Sequence, residues 1–183
     1  MNRERWLILY CLLIGVLGWL WIFFAWPLTI PFHILALFLI LALFVESAGF
    51  RVPPADPHSL VGIVLLTAAF AYQPIDGAFV AALSGLIFGI LRPLIYGLPR
   101  TFYSLGARPL LRSGVRAIAV LLGGAVVALL GATDTVTVVL VSALCYTVVI
   151  QLNRVARELL QGGRSGLSTW WRSSWRSALL AEV

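Results

Sequence analysis

The sequence predicts an all-α integral membrane protein: a bundle of about six transmembrane helices, both termini cytoplasmic, with a cytoplasmic interfacial amphipathic helix at the C-terminus. Composition is the first observation behind this. Hydrophobic residues make up 61% of the 183 and charged residues only 11%, against about 25% charged in a soluble domain. The second is the series of apolar runs approaching the roughly 20 residues that a helical crossing needs. The third is the placement of arginine on one face of the resulting six-span layout.

Span one covers residues 6–26, with Trp6 and Trp26 at its two ends, where amphipathic rings favour the headgroup level. The start of the chain is basic like a signal peptide, but its apolar run exceeds the usual 7–15 residues and no small-x-small cleavage site follows. It therefore reads as an uncleaved span. Pro27 and Pro31 punctuate the turn into span two, residues 32–45. Residues 46–57, ESAGFRVPPADP, combine three prolines with Gly49, Glu46, Arg51 and Asp56, which excludes lipid exposure and predicts a loop.

Spans three (59–72) and four (77–95) form a hairpin around the turn Gln73-Pro74-Ile75-Asp76-Gly77. Span four carries Ala78, Ala82, Gly85 and Gly89 about one turn apart, a small-residue stripe on which a partner helix can approach closely. This hairpin is the expected organising element. Residues 96–116 are too polar and too interrupted by Gly and Pro to span, and predict a short interfacial helix starting near Pro109. Spans five (115–132) and six (135–152) follow, joined at Thr133-Asp134. Residues 1–152 then form the membrane domain and 153–183 a cytoplasmic tail, in which Trp171, Trp175 and Leu179 recur at helical spacing with Arg172 and Arg176 offset. The tail ends without a clear cap, which leaves room for a further segment.

All 13 basic residues are arginine, and the net charge is +6. In the six-span layout they fall before span one, between spans two and three, between four and five, and after span six. By the positive-inside rule that side is the cytoplasm of a cell membrane, a bacterial inner membrane. The arginines flank apolar spans instead of lining a basic soluble face, which argues against nucleic acid as a partner. Cys11 and Cys145 lie inside apolar runs with no companion at metal-ligand spacing, so neither a disulfide framework nor a metal site is expected.

Arg108, Arg112 and Arg116 recur every four residues and stack along one helix face, with Arg100 able to join them. Such a ladder suits anionic lipid at the membrane surface or an acidic or phosphorylated partner. On the opposite side, Asp76 and Asp134 sit in turns, with Tyr72 and Gln73 beside the first. Both aspartates read as turn and capping residues, and with Tyr72 and Gln73 they form the candidate ligand-binding set at an outward-facing mouth. His33 is the one candidate haem or chlorophyll ligand, although a lone His is better explained as an interfacial hydrogen-bonding residue. His58 with Glu46 and Asp56 is the nearest approach to a metal set. HExxH, a Gly-rich phosphate loop, CxxC and GxSxG are all missing from the sequence, and no acid lies inside a span, so no enzyme and no ion pump is expected.

The extended entry 52–59, an apolar span, a Pro-x-x-Gly turn and the Ala/Gly-rich run GAFVAALSGLIFGILR resemble the S components of energy-coupling-factor vitamin transporters. The same stretch is similar to the N-terminal membrane sensor modules that precede HD-GYP or GGDEF output domains. The resemblance covers about a third of the chain, and span one departs from it, with Gly15 and Gly18 in place of an Ala-x-x-x-Ala docking motif. It implies a non-catalytic module that binds a small or lipid-like ligand, for transport or for sensing, with membrane or cytoplasmic protein partners. The alternative is a structural subunit of a larger membrane complex, respiratory or photosynthetic.

Overall fold

The computed structural model describes residues 3–48, 61–95, 97, 99 and 101–181, with side chains for residues 4–161 of these. Among the described residues there is no strand. Six helices follow in order: α1 (Arg3–Phe24), α2 (Phe32–Ser47), α3 (Val61–Ala71), α4 (Pro74–Ile95), α5 (Arg108–Leu130) and α6 (Thr135–Ala181). Four of them are long and apolar enough to cross a membrane: α1, α4, α5 with the turn that precedes it, and α6. Helices α2 and α3 have 16 and 11 residues, or about 24 and 17 Å at 1.5 Å per residue, short of a hydrocarbon core of about 30 Å.

Helix α5 is the hub, packed against α4, α1 and α6. Glycine sets each of these approaches. A Cβ on Gly18 would lie 2.5 Å from the Cα of Gly114, so α1 and α5 cross almost backbone to backbone. A Cβ on Gly89 would lie 2.8 Å from the Cα of Pro109, and one on Gly85 3.1 Å from that of Ser113, which brings α4 equally near. The expected stripe on α4 is therefore an α5 contact: Ala78 and Ala82 are wholly buried, Gly85 is buried and Gly89 half-buried. What the sequence reading misplaced is the centre of the bundle. That is α5, because it meets small residues on α1 and α4 at once.

These contacts also fix helix directions. Gly15 meets Leu110 and Gly18 meets Gly114, so α1 and α5 run parallel. Gly85 meets Ser113 and Gly89 meets Pro109, so α4 is antiparallel to both. Only residues 131–134 join α5 to α6, and Gly123 packs on Ser142, so α6 runs back along α5 and antiparallel to α1, which it meets where Tyr10 donates to Asn153 Oδ1 at 3.1 Å. Arg5, Arg92, Arg108, Arg154 and Arg157 thus lie toward one end of the bundle, whereas Arg112 stands level with the middle of α1 and α4. Toward the other, the Phe79 ring meets Trp19 and Trp26 edge to face at 6.3 and 6.4 Å.

Four expected boundaries are corrected. Helix α2 continues through Glu46 and Ser47, because Glu46 finds an ion-pair partner inside the bundle. Helix α4 starts at Pro74, so Asp76 and Gly77 form its first turn and only Tyr72 and Gln73 connect it to α3; proline suits this first position, where its missing N–H costs nothing. Residues 102–116 are not a broken interfacial segment. A π-helical turn at Tyr103–Ala107, in which the Arg108 N–H bonds the Tyr103 carbonyl, leads without interruption into α5. Widening the turn just ahead of Pro109 accommodates a residue that lacks an N–H. Helix α6 runs for 47 residues with no break at 152, about 70 Å, so residues 153–181 extend the last long helix as one rod. The Trp and Arg side chains of the expected amphipathic tail lie outside the described ones.

Candidate functional site

The centre of interest is a carboxylate held between two arginines inside the apolar bundle. Glu46 projects from the last turn of α2, and Arg112 and Arg116 project from α5 one turn apart, on the same face. Arg116 grips Glu46 with both terminal nitrogens: Nη1 donates to Oε2 at 2.9 Å and Nη2 to Oε1 at 2.7 Å. This is the parallel two-bond geometry that guanidinium and carboxylate favour. Arg112 Nη2 donates to the same Oε1. The Glu46 side chain is 1% exposed and that of Arg116 8%, whereas that of Arg112 is 27% exposed.

Sequence and packing explain the location. The tight α4–α5 approach at Gly85 and Gly89 brings Phe88 under Arg112, whose guanidinium carbon lies 5.2 Å from the ring centroid, within cation–π range. Helix α2 packs on α3 and α4 and makes no close backbone approach to α5 among the described residues. The long Arg and Glu side chains therefore bridge α2 to α5 across α4. An ion pair this buried stays charged because each partner offsets the other's lost hydration, and losing either one costs about 3–5 kcal/mol.

Neighbouring polar groups are matched as well. Trp19 Nε1 donates to Ser113 Oγ at 2.9 Å, directly between the two arginines in sequence. Toward the arginine-bearing end, the Nε of Arg157 on α6 is buried with no hydrogen-bond partner among the described residues. Arg157 and Arg116 both repel the Arg112 charge.

The other expected site residues are placed differently. Asp76 is wholly buried and receives the backbone N–H of Thr29 (2.9 Å) and of Ile30 (3.2 Å) on Oδ1, and the Thr29 hydroxyl (2.6 Å) on Oδ2. It ties the α1–α2 connection to the start of α4. Asp134 caps α6, its Oδ2 taking the Thr137 N–H at 2.8 Å. That bond and the Thr137 side chain hold its carboxyl below the ordinary aspartate value of 3.8. Tyr72 and Gln73 are exposed in the α3–α4 connection. The structure thus gives the two aspartates separate local partners, one buried and one exposed. His33 is exposed in the first turn of α2, and among the described residues no three His, Cys, Asp or Glu side chains cluster as metal ligands. His58, Asp56 and Arg100 lie outside the described residues.

Sequence reasoning placed Glu46 in a loop with His58 and Asp56 and missed its pairing with Arg112 and Arg116, because it opens a segment rich in proline and charge. The signal was present nonetheless: Glu46 follows a fully apolar helix and falls at the same end of the layout as the arginine ladder. Comparison with known protein families, with curated proteins and with solved structures finds no match to this chain.

Proposed function

We propose that this chain is a non-catalytic six-helix module of a cell membrane, with its arginine-bearing end cytoplasmic, that binds a small or lipid-like ligand. The reading follows the resemblance to transporter S components and membrane sensor modules, and it moves the ligand site from the outer turns to the Glu46–Arg112–Arg116 centre. The observation that carries it is that centre itself. Ionisable side chains buried among membrane-length apolar helices are costly, and they mark sites where a ligand, ion or partner is handled. Parallel α1 and α5, antiparallel α4 and α6, and arginines gathered at one end support the orientation. In such a module α2 and α3, neither long enough to cross alone, pack beside α4 within the bundle.

Mass spectrometry of the organic extract from the purified chain tests this function. A stoichiometric small or lipid-like molecule, retained by the wild type and lost from Glu46→Ala, is the expected result. An extract no different from that of an unrelated membrane protein prepared identically would overturn the ligand-binding reading.

One feature favours the alternative of a structural subunit. Val136, Leu140, Leu144, Val148 and Leu152 on α6 are all exposed and four residues apart, so they form one long apolar edge. Obligate co-purification with large subunits, and with no small molecule, is the outcome that this alternative requires.

A further inference from the structure

We propose that α2 and α3 are a re-entrant pair, entering the membrane from the Asp134 side and stopping near its middle, so that the Glu46–Arg112–Arg116 centre is reached through water from the arginine-bearing side. This route rests on the ligand-binding reading above and names the side from which the ligand arrives. Both helices have one end fixed at the Asp134 side. Asp76, in the first turn of α4, holds Thr29 and Ile30 just ahead of α2, and a Cβ on Gly77 would lie 2.5 Å from the Cβ of Ala69 near the end of α3. Their other ends stop short. Helix α2 ends one residue past Glu46, which pairs with Arg112 and Arg116, and Ser113 between those arginines is level with Gly85 on α4. From Gly85, α4 continues to Ile95, about 15 Å further toward the arginine-bearing end. Helix α3, about 17 Å long, runs beside only about half of α4, which is about 33 Å.

The buried core divides in the same way. Ala42 on α2 and Val61 and Leu65 on α3 join one cluster with Val80 on α4 and Ala117 on α5. The second cluster, which includes Leu7, Cys11 and Leu111, draws on α1, the π-helical turn, α5 and α6, and among the described residues it holds nothing from α2 or α3. Depth and exposure then call for water. Arg112 stands level with the middle of the bundle, yet its side chain is 27% exposed. Hydrocarbon around an exposed guanidinium at that depth is costly, and a helix that stops there leaves its last carbonyls in need of donors. Water entering past the ends of α2 and α3 meets both needs. Helix ends beside charged groups near the bilayer midplane are a recurrent way of holding polar solutes in membranes, so a small hydrated solute suits this centre better than a lipid-like one.

Thiol labelling of the full chain in sealed vesicles tests the route, with each reagent added from one side at a time. The variants are Ser47→Cys and Ala48→Cys, both at exposed positions where α2 ends, and Thr101→Cys in the connection ahead of α5. The wild type, with Cys11 and Cys145 inside helices, sets the background. A small charged methanethiosulfonate should modify the α2 variants from the arginine-bearing side and leave them unmodified from the Asp134 side. A bulky polyethylene-glycol maleimide, added from the arginine-bearing side, should modify Thr101→Cys readily. It should modify the α2 variants at about a tenth of that rate or less, because it must wait for an opened state populated to about 10% at most.

Equal rates for the α2 variants and Thr101→Cys with the bulky reagent would place the end of α2 at the membrane surface, as in a full crossing, and overturn the proposal. So would modification from the Asp134 side, or failure of the small reagent to modify either α2 variant, which would make the centre dry. The ligand reading fails separately: labelling as expected, with no stoichiometric molecule in the extract of the purified chain, would remove the ligand and leave the re-entrant pair standing.

Discussion

Replacing Gly18 with Ala probes the tightest point of the bundle. An ideal Cβ there lies 2.5 Å from both the Cα and the carbonyl oxygen of Gly114, whereas ordinary contact begins near 3.4 Å. The obstacle is backbone, so no rotamer change relieves it. Helices α1 and α5 would have to part by about 1 Å, a gap that forfeits a quarter to a half of each dispersion contact along the crossing. Overpacking of this kind costs about 1–3 kcal/mol. The Trp19–Ser113 hydrogen bond sits one residue away on each helix and would stretch beyond reach, adding about 1 kcal/mol. The expected total is about 2–4 kcal/mol. Gly131→Ala is the control: its φ is +60° but nothing lies within 4 Å of a Cβ there, so only backbone strain of about 1 kcal/mol applies. Unfolding in detergent, followed by tryptophan fluorescence, compares the two. A Gly18→Ala variant no less stable than Gly131→Ala would refute the backbone-to-backbone crossing.

Asp76→Ala leaves two backbone N–H groups and a hydroxyl without their acceptor and should cost about 3 kcal/mol, against about 1 kcal/mol for Asp76→Asn, which keeps an oxygen for the amides; equal melting temperatures for the two would show that the carboxylate does not hold the α1–α2 connection. Asp134 has a folded pKa held below 3.8, so the stability it lends the start of α6 is present above that value and is lost as pH falls through the lower, folded pKa. The difference in melting temperature between wild type and Asp134→Ala should accordingly be largest well above pH 3.8 and should close below it; a difference independent of pH would remove Asp134 as a charged cap. Reporters fused after Thr101, in the connection ahead of α5, and after Arg164 should be cytoplasmic and one at Asp134 external; a cytoplasmic Asp134 would sink the six-span orientation.

Much of the helical framework could be read from the chain because apolar length and small-residue spacing are local properties. The residues 6–26 and 77–95 correspond to α1 and α4 within a few positions, and the stripe Ala78, Ala82, Gly85 and Gly89 does face another helix. What escaped was every feature set by a distant partner. Gly15 and Gly18 looked like a weak departure from a familiar motif until Gly114 came opposite them. Residues 96–116 looked too polar to enter the bundle because nothing nearby in sequence neutralises Arg112 and Arg116; their partner lies 66 and 70 residues away. Asp76 carried ordinary turn chemistry in the sequence, yet it reaches back 47 residues to the Thr29 hydroxyl.

The same geometry that hides the arginines explains why they are tolerated. Side chains on a helix lean toward its N-terminus, so Arg112 and Arg116 on α5 lean toward the arginine-bearing end. Glu46 sits on antiparallel α2 and leans the other way, and the carboxylate and guanidinium groups meet between the two helices. Moving Glu46 one position along α2 would swing it by about 100° around the helix, off the face that looks at α5. The centre therefore requires a particular register of α2 against α4, the helix on which α2 packs. Because replacing a buried ion pair with well-packed apolar side chains is often neutral or stabilising, a bundle that needed only stability would have no use for that register. A triple variant with Leu at 46 and Met at 112 and 116 separates the two roles. It should fold with a melting temperature near that of the wild type and should lose the small or lipid-like molecule expected in the wild-type extract. Retention at the wild-type level in that variant would reduce the charged centre to a structural tie between α2 and α5.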